Sequence, residues 1–173
     1  MTLTDGLKAA GILLAAVLLQ LVFVNRIEVA EGRPDLVLAT VVCIALLRGP
    51  LVGAVLGFWG GLLLDVATFE TLGLTALLLT LAGFWTGRLG QVMSKSSPHP
   101  PLIAVGLATV GVTLGGGFLH FVLGSTVSAS TLFGAVLLPS VALNVLLAWP
   151  LYRLMRRILP LAQRERREVS VAV

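Results

Sequence analysis

The sequence predicts an all-α polytopic membrane protein with about six transmembrane helices. Three observations carry this. Of 173 residues, 57% are hydrophobic and 12% charged, against about a quarter charged in a soluble domain, and the mean hydropathy is +1.03. Apolar runs recur along the chain, separated by short polar or Pro/Gly-containing breaks. The basic residues are segregated: six of the twelve Lys and Arg follow Tyr152, the pattern of a cytoplasmic membrane face rather than of nucleic-acid binding. The length allows one domain and no large soluble head. Residues 1–160 are expected to form a single six-helix transmembrane domain, and 161–173 a basic cytoplasmic tail.

The first span is expected over Leu7–Val24, eighteen residues or about 27 Å as a helix. It lacks a basic leader and a small-residue cleavage site, so it reads as a retained span and not a removed signal peptide. Gly11 and Ala15 pair on one face, and Gln20 is its one polar interruption. Residues 25–33 form a polar loop. Pro34 suits the first position of a new helix, and Asp35 meets the positive end of that helix's dipole. The second run ends at Arg48. Fifteen residues from Pro34 give only about 22 Å, less than the ~30 Å hydrocarbon core. A short complete span and a re-entrant hairpin both fit, and the former is preferred.

Arg48-Gly49-Pro50 is an inner-side turn that opens the third span, Leu51–Thr68, which carries Gly53, Gly57, Gly60 and Gly61 and ends near Asp65. Each glycine weakens a soluble helix by roughly 0.8–1.0 kcal/mol relative to alanine. In a bilayer the helix persists, because its backbone has no other partner, and the missing side chains admit another helix closely. These glycines, with Gly83 and Gly87, are the expected helix-packing or partner interface. The fourth span is expected over Gly73–Gly87, ending at Arg88. Gly83, Gly87 and Gly90 repeat the spacing of Gly53, Gly57 and Gly60, through an internal duplication or through two independently arising small-residue faces. Residues 89–101 read as an exposed loop, Leu102–Leu123 as the fifth span, and Thr131–Tyr152 as the sixth, with bends at Pro139 and Pro150.

With six spans, ten of twelve cations fall on one side, including Lys8, Arg48, Arg88, Arg153, Arg156 and Arg157. That side is assigned to the cytoplasm, with both termini. The other side is acidic, with Asp35, Asp65 and three glutamates against Arg26 and Arg33.

No nucleophile elbow, zinc-protease helix or phosphate-binding loop is present, so no catalytic, cofactor or metal residues are expected. Cys43 stands alone, which excludes an intramolecular disulfide and a site of paired thiolates; it reads as a small core residue. His99 and His120 fall on opposite sides of the bilayer. Asp65 is the sharpest residue, because an intramembrane carboxylate is costly. It is expected in an outer-rim polar contact with Arg33, Arg26 or His120, near Asp35, and the alternative is a solvated helix-end acid. Asn144 is placed mid-to-inner in the sixth span, bonding a neighbouring helix. Trp59 and Trp85 are belt residues or core packers, while Trp149 fits the cytoplasmic belt. The late arginines attract anionic lipid or bind a cytoplasmic protein.

The run Pro34-Asp35-Leu-Val-Leu, then Arg48-Gly49-Pro50 through Gly53, Gly57, Gly60-Gly61 and Asp65, then Leu72-Gly73 through Gly83-Phe-Trp-Thr-Gly87-Arg88, resembles the MreD family of rod shape-determining membrane proteins. The match covers about a third of the chain and rests on motif order and spacing. The resemblance implies a fold similar to the substrate-binding S components of energy-coupling-factor vitamin transporters. It also implies no enzymatic activity, a place in the bacterial inner membrane, and a role in peptidoglycan elongation. The implied partners are the bitopic protein MreC, with MreB, RodA and its class B transpeptidase. Two functions follow: a scaffold whose glycine-faced helices dock MreC and the synthases, or an S-component-like subunit that binds a vitamin.

Overall fold

The computed structural model describes residues 3–22, 34–69, 71–92, 100–124 and 137–159. Six helices are present among them: α1 (Leu3–Val22), α2 (Leu36–Arg48), α3 (Pro50–Thr68), α4 (Leu74–Val92), α5 (Pro100–Val122) and α6 (Leu138–Ile158). Four, α1, α3, α5 and α6, contain stretches long and apolar enough to cross a membrane. α2 has only 13 residues, and α4 carries Arg88, Gln91 and three threonines in its 19 residues. The chain is therefore a helical membrane protein, with a hydropathy signal weaker than six uniform spans.

The short second segment is the centre of the bundle. Every residue from Val37 to Leu47 is buried, and α2 touches all five other helices. A helix that is apolar all round has no solvent face to present. Here the sequence Val-Leu-Ala-Thr-Val-Val-Cys-Ile-Ala-Leu-Leu is enclosed on every side by α1, α3, α4, α5 and α6. The ~20 Å length is thus not matched against lipid, since neighbouring helices cover both ends.

A single residue, Gly49, joins α2 to α3. Its φ of 98° and ψ of 178° lie in a region open essentially to glycine alone. Its N–H donates to the Ala45 carbonyl (2.7 Å), and its carbonyl accepts from the Gly53 N–H (3.1 Å). Pro50 then starts α3 where a missing N–H has no consequence.

The closest helix pair is α3 with α4. They run antiparallel, with Gly53 against Gly83, Gly57 against Leu79, Gly61 against Ala76, and Gly87 against Pro50. At each of these glycines a Cβ would overlap the backbone of the opposite helix. Gly60 faces elsewhere: its Cβ would meet Leu13 at 3.0 Å and Val37 at 3.2 Å, so it lets α1 and α2 approach α3. The Phe58–Trp59 and Phe84–Trp85 edge-to-face pairs lie away from this seam. Trp59 and Trp85 are 56% and 63% exposed and sit within their helices rather than at the ends. They are therefore not core packers.

Several boundaries differ from expectation. α1 starts at Leu3 and α5 at Pro100. α4 continues past Gly87 and Arg88 to Val92, because nothing before Val92 breaks it and the Arg88 side chain reaches outward. α6 continues past Tyr152 to Ile158, since Arg153, Arg156 and Arg157 are good helix formers whose long stems carry their charge out of the apolar layer. Pro139 lies in the first described turn of α6, and Pro150 lies inside the helix. Residues 131–136, placed in the sixth span, lie outside the described residues.

Gly57→Ala and Gly61→Ala are expected to destabilise the fold by about 1–3 kcal/mol through forced separation of α3 and α4. Gly11→Ala, where a Cβ meets nothing within 4 Å, is expected to be neutral or to gain up to about 1 kcal/mol. Unfolding midpoints in mild detergent check the contrast.

Candidate functional site

The described polar side chains gather at the two ends of α2 and at one end of the α3–α4 pair. At the acidic end of the bundle, the first turn of α2 presents unpaired N–H groups to a closed interior. Asp35 caps it: Oδ1 accepts from the Leu38 N–H at 2.8 Å. Gln20, 9% exposed near the end of α1, accepts the Val37 N–H on Oε1 at 2.8 Å. Asn144 Oδ1 accepts the Asp35 N–H at 2.6 Å, and its Nδ2 donates to Thr109 Oγ1 at 3.1 Å. The Thr109 hydroxyl donates in turn to the Val105 carbonyl (2.8 Å). Three helices, α1, α5 and α6, are thus tied to the start of α2 by side-chain hydrogen bonds.

Asp65 makes an equivalent contact between α3 and α4. It is 1% exposed, and its carboxylate accepts from the N–H groups of Gly73 (2.8 Å), Thr75 (3.3 Å) and Ala76 (3.3 Å). A carboxylate from one helix caps the next, where the dipole favours negative charge. Among the described residues, the contact Asp65 makes is to backbone. Arg26 and Arg33 lie outside the described residues, as does the side chain of His120, which falls near the end of α5.

At the basic end, Arg48 Nη1 lies 3.1 Å from Asp5 Oδ2. The arginine side chain is 5% exposed and the aspartate 23%. Among the described residues Arg48 Nε and Nη2 are buried without an acceptor, so Asp5 is the anchor that makes burial of this cation tolerable. Beyond it, Arg153 lies 4.0 Å from the Trp149 ring centroid and Arg156 5.9 Å from that of Tyr152, while Arg157 is exposed in the last turn.

Gln20, Thr109 and Asp5 are the participants missed in the sequence. Gln20 was visible as the lone polar break in an apolar span. Asp5 was legible from topology, since the start of the first helix and the end of the second share one side. Asn144 sits nearer the acidic end than expected, since its Oδ1 accepts the Asp35 N–H at the start of α2.

Two apolar grooves flank the bundle. One of about 560 Å³ runs between α1 and α3 and is lined by residues including Ala10, Leu13, Val52, Val55 and Trp59. Another of about 320 Å³ separates α4 from α5, with Trp85 opposite Gly111 and Gly115. Among the described residues no cluster of His, Cys, Asp or Glu could hold a metal.

Asp65→Ala is expected to destabilise the protein by about 3 kcal/mol, because three N–H groups, one of them fully buried, lose their acceptor together. Asp65→Asn keeps one acceptor oxygen and is expected to lose about 1 kcal/mol. Gln20→Leu, which orphans one N–H, is expected to fall between them, at about 1–3 kcal/mol. Chemical unfolding in detergent micelles gives all three values.

A family model described as rod shape-determining protein MreD matches residues 7–161. No curated protein and no solved structure matches the chain.

Proposed function

From the premise that the chain belongs to the rod shape-determining protein MreD family, we propose that it is a non-enzymatic, multi-pass scaffold of the bacterial inner membrane. Its family role is in determining rod shape. In the proposed account it holds the span of an MreC-like bitopic partner, and through it RodA-type polymerase, transpeptidase and MreB, at the site of wall elongation. Both termini are assigned to the cytoplasm, where the basic end of the bundle would lie.

One observation carries the docking part. The groove between α1 and α3 is open, apolar and bounded by small residues Gly6, Ala9 and Ala10 on one wall, the composition that lets a second helix pack in a membrane. The glycine faces of α3 and α4 favour this location by elimination. Gly53, Gly57, Gly61, Gly83 and Gly87 are already covered by each other's helices, so a partner could reach them only by prising the pair apart. The carbonyls and hydroxyls inside the bundle support a structural reading too: Thr40, Thr80, Thr86 and Thr109 each donate back to their own helix.

The vitamin-binding alternative, with its S-component-like fold, depends on a polar outer rim. Two of that rim's carboxylates, Asp35 and Asp65, are committed to helix ends, which leaves the scaffold as the better-supported function.

Filling the groove tests it. Ala10→Trp and Val55→Trp, both at exposed positions, are expected to reduce co-purification of an MreC-like partner at least tenfold while leaving the unfolding midpoint unchanged. Leu146→Trp, on an exposed face of α6, is expected to retain the partner. Undiminished partner yield with normal cell shape in both groove variants contradicts the proposal.

A further inference from the structure

Trp149, Arg153 and Arg157 follow one another at four-residue spacing along α6, so they stand on one face. All three are exposed. With Pro150 and Leu154 they line a shallow hollow of about 290 Å³. The Arg153 guanidinium lies over the Trp149 ring, which restrains the cation without using its N–H donors. Arg157 is one turn further on, its Cβ about 5–6 Å away, so two guanidinium groups border the same hollow. Among the described residues neither has a carboxylate partner. Arg156 sits beside Tyr152 and forms no part of the hollow.

The surroundings of these cations are apolar. Trp149 is 48% and Leu154 50% exposed, and Pro150 is exposed next to them. A soluble anion would gain from the arginines and nothing from those three side chains. A phospholipid gains from both: its phosphate oxygens accept from the two guanidinium groups, and its glyceride and upper acyl carbons lie on Trp149, Pro150 and Leu154. We propose that the Trp149–Arg153–Arg157 face of α6 binds the phosphodiester headgroup of an anionic phospholipid in the leaflet at the basic end of the bundle. Binding there fixes the depth of α6 and is independent of the partner groove between α1 and α3.

The test uses the full chain with Trp59→Phe and Trp85→Phe, which leaves Trp149 as the only tryptophan. It is reconstituted in phosphatidylcholine vesicles containing a minor fraction of either brominated phosphatidylglycerol or brominated phosphatidylcholine, and Trp149 quenching is read. The brominated anionic lipid is expected to quench more strongly at equal mole fraction, with a preference of about fivefold per arginine. Arg153→Gln combined with Arg157→Gln brings the preference to near parity, while Arg156→Gln retains it. Equal quenching by the two lipids overturns the proposal. So does a preference that survives the double substitution, or one lost equally in Arg156→Gln. Displacement of the brominated lipid by inorganic phosphate at constant ionic strength assigns the hollow to a soluble anion and overturns it as well.

Discussion

A helix enclosed by other helices inside a membrane must find partners for the polar groups at both of its ends, because neither water nor lipid supplies them. α2 is such a helix, and the arrangement of the bundle follows from meeting that demand. Gln20 of α1, Asn144 of α6 and its own Asp35 fill the donors at one end. Asp5 of α1 meets the arginine at the other. Because α1 contributes to both ends, its position relative to α2 is fixed along the axis as well as around it. Thr109 extends the first of these contacts into α5. The polar residues of this very apolar chain are therefore concentrated where they set helix register.

The α3–α4 pair solves a different problem by other means. Its contact is made backbone to backbone, which needs no side chains and leaves no polar group to satisfy except at the turn. Asp65 supplies that, reaching across from α3 to the first N–H groups of α4. The pair is consequently closed on its inner face and aromatic on its outer one, with Phe58, Trp59, Phe84 and Trp85 all exposed. A helix pair built this way presents apolar surfaces outward while its own packing stays enclosed.

Much of this was legible in the chain and some was not, for physical reasons. The helical class, the number of segments and the charged end of α6 follow from hydropathy and charge alone. The glycines announced a close helix contact, but spacing cannot tell whether the approaching helix belongs to the same chain. α2 reads from its sequence as a short complete span, and nothing there marks it as central. In a membrane sequence apolarity on all faces is the default, so the signal that marks a buried helix in a soluble protein carries no information. Asp65 stands out in the sequence as the one carboxylate within an apolar span, and the structure buries it. Its bonds to the start of α4 were not legible, because backbone N–H groups leave no mark in a sequence. The extension of α6 to Ile158 was missed because a run of arginines was taken as a stop, although arginine ends a span without ending a helix.

The enclosure of α2 is the central claim, and a tryptophan scan of four consecutive positions tests it most directly. Val41, Val42, Cys43 and Ile44 are each 0% exposed, and at 3.6 residues per turn they cover every face of the helix. The unfolding free energies of Val41→Trp, Val42→Trp, Cys43→Trp and Ile44→Trp are predicted to fall in all four cases, by about 1–3 kcal/mol or more. Wild-type stability in even one of the four would show a face of α2 looking onto lipid and would contradict the account.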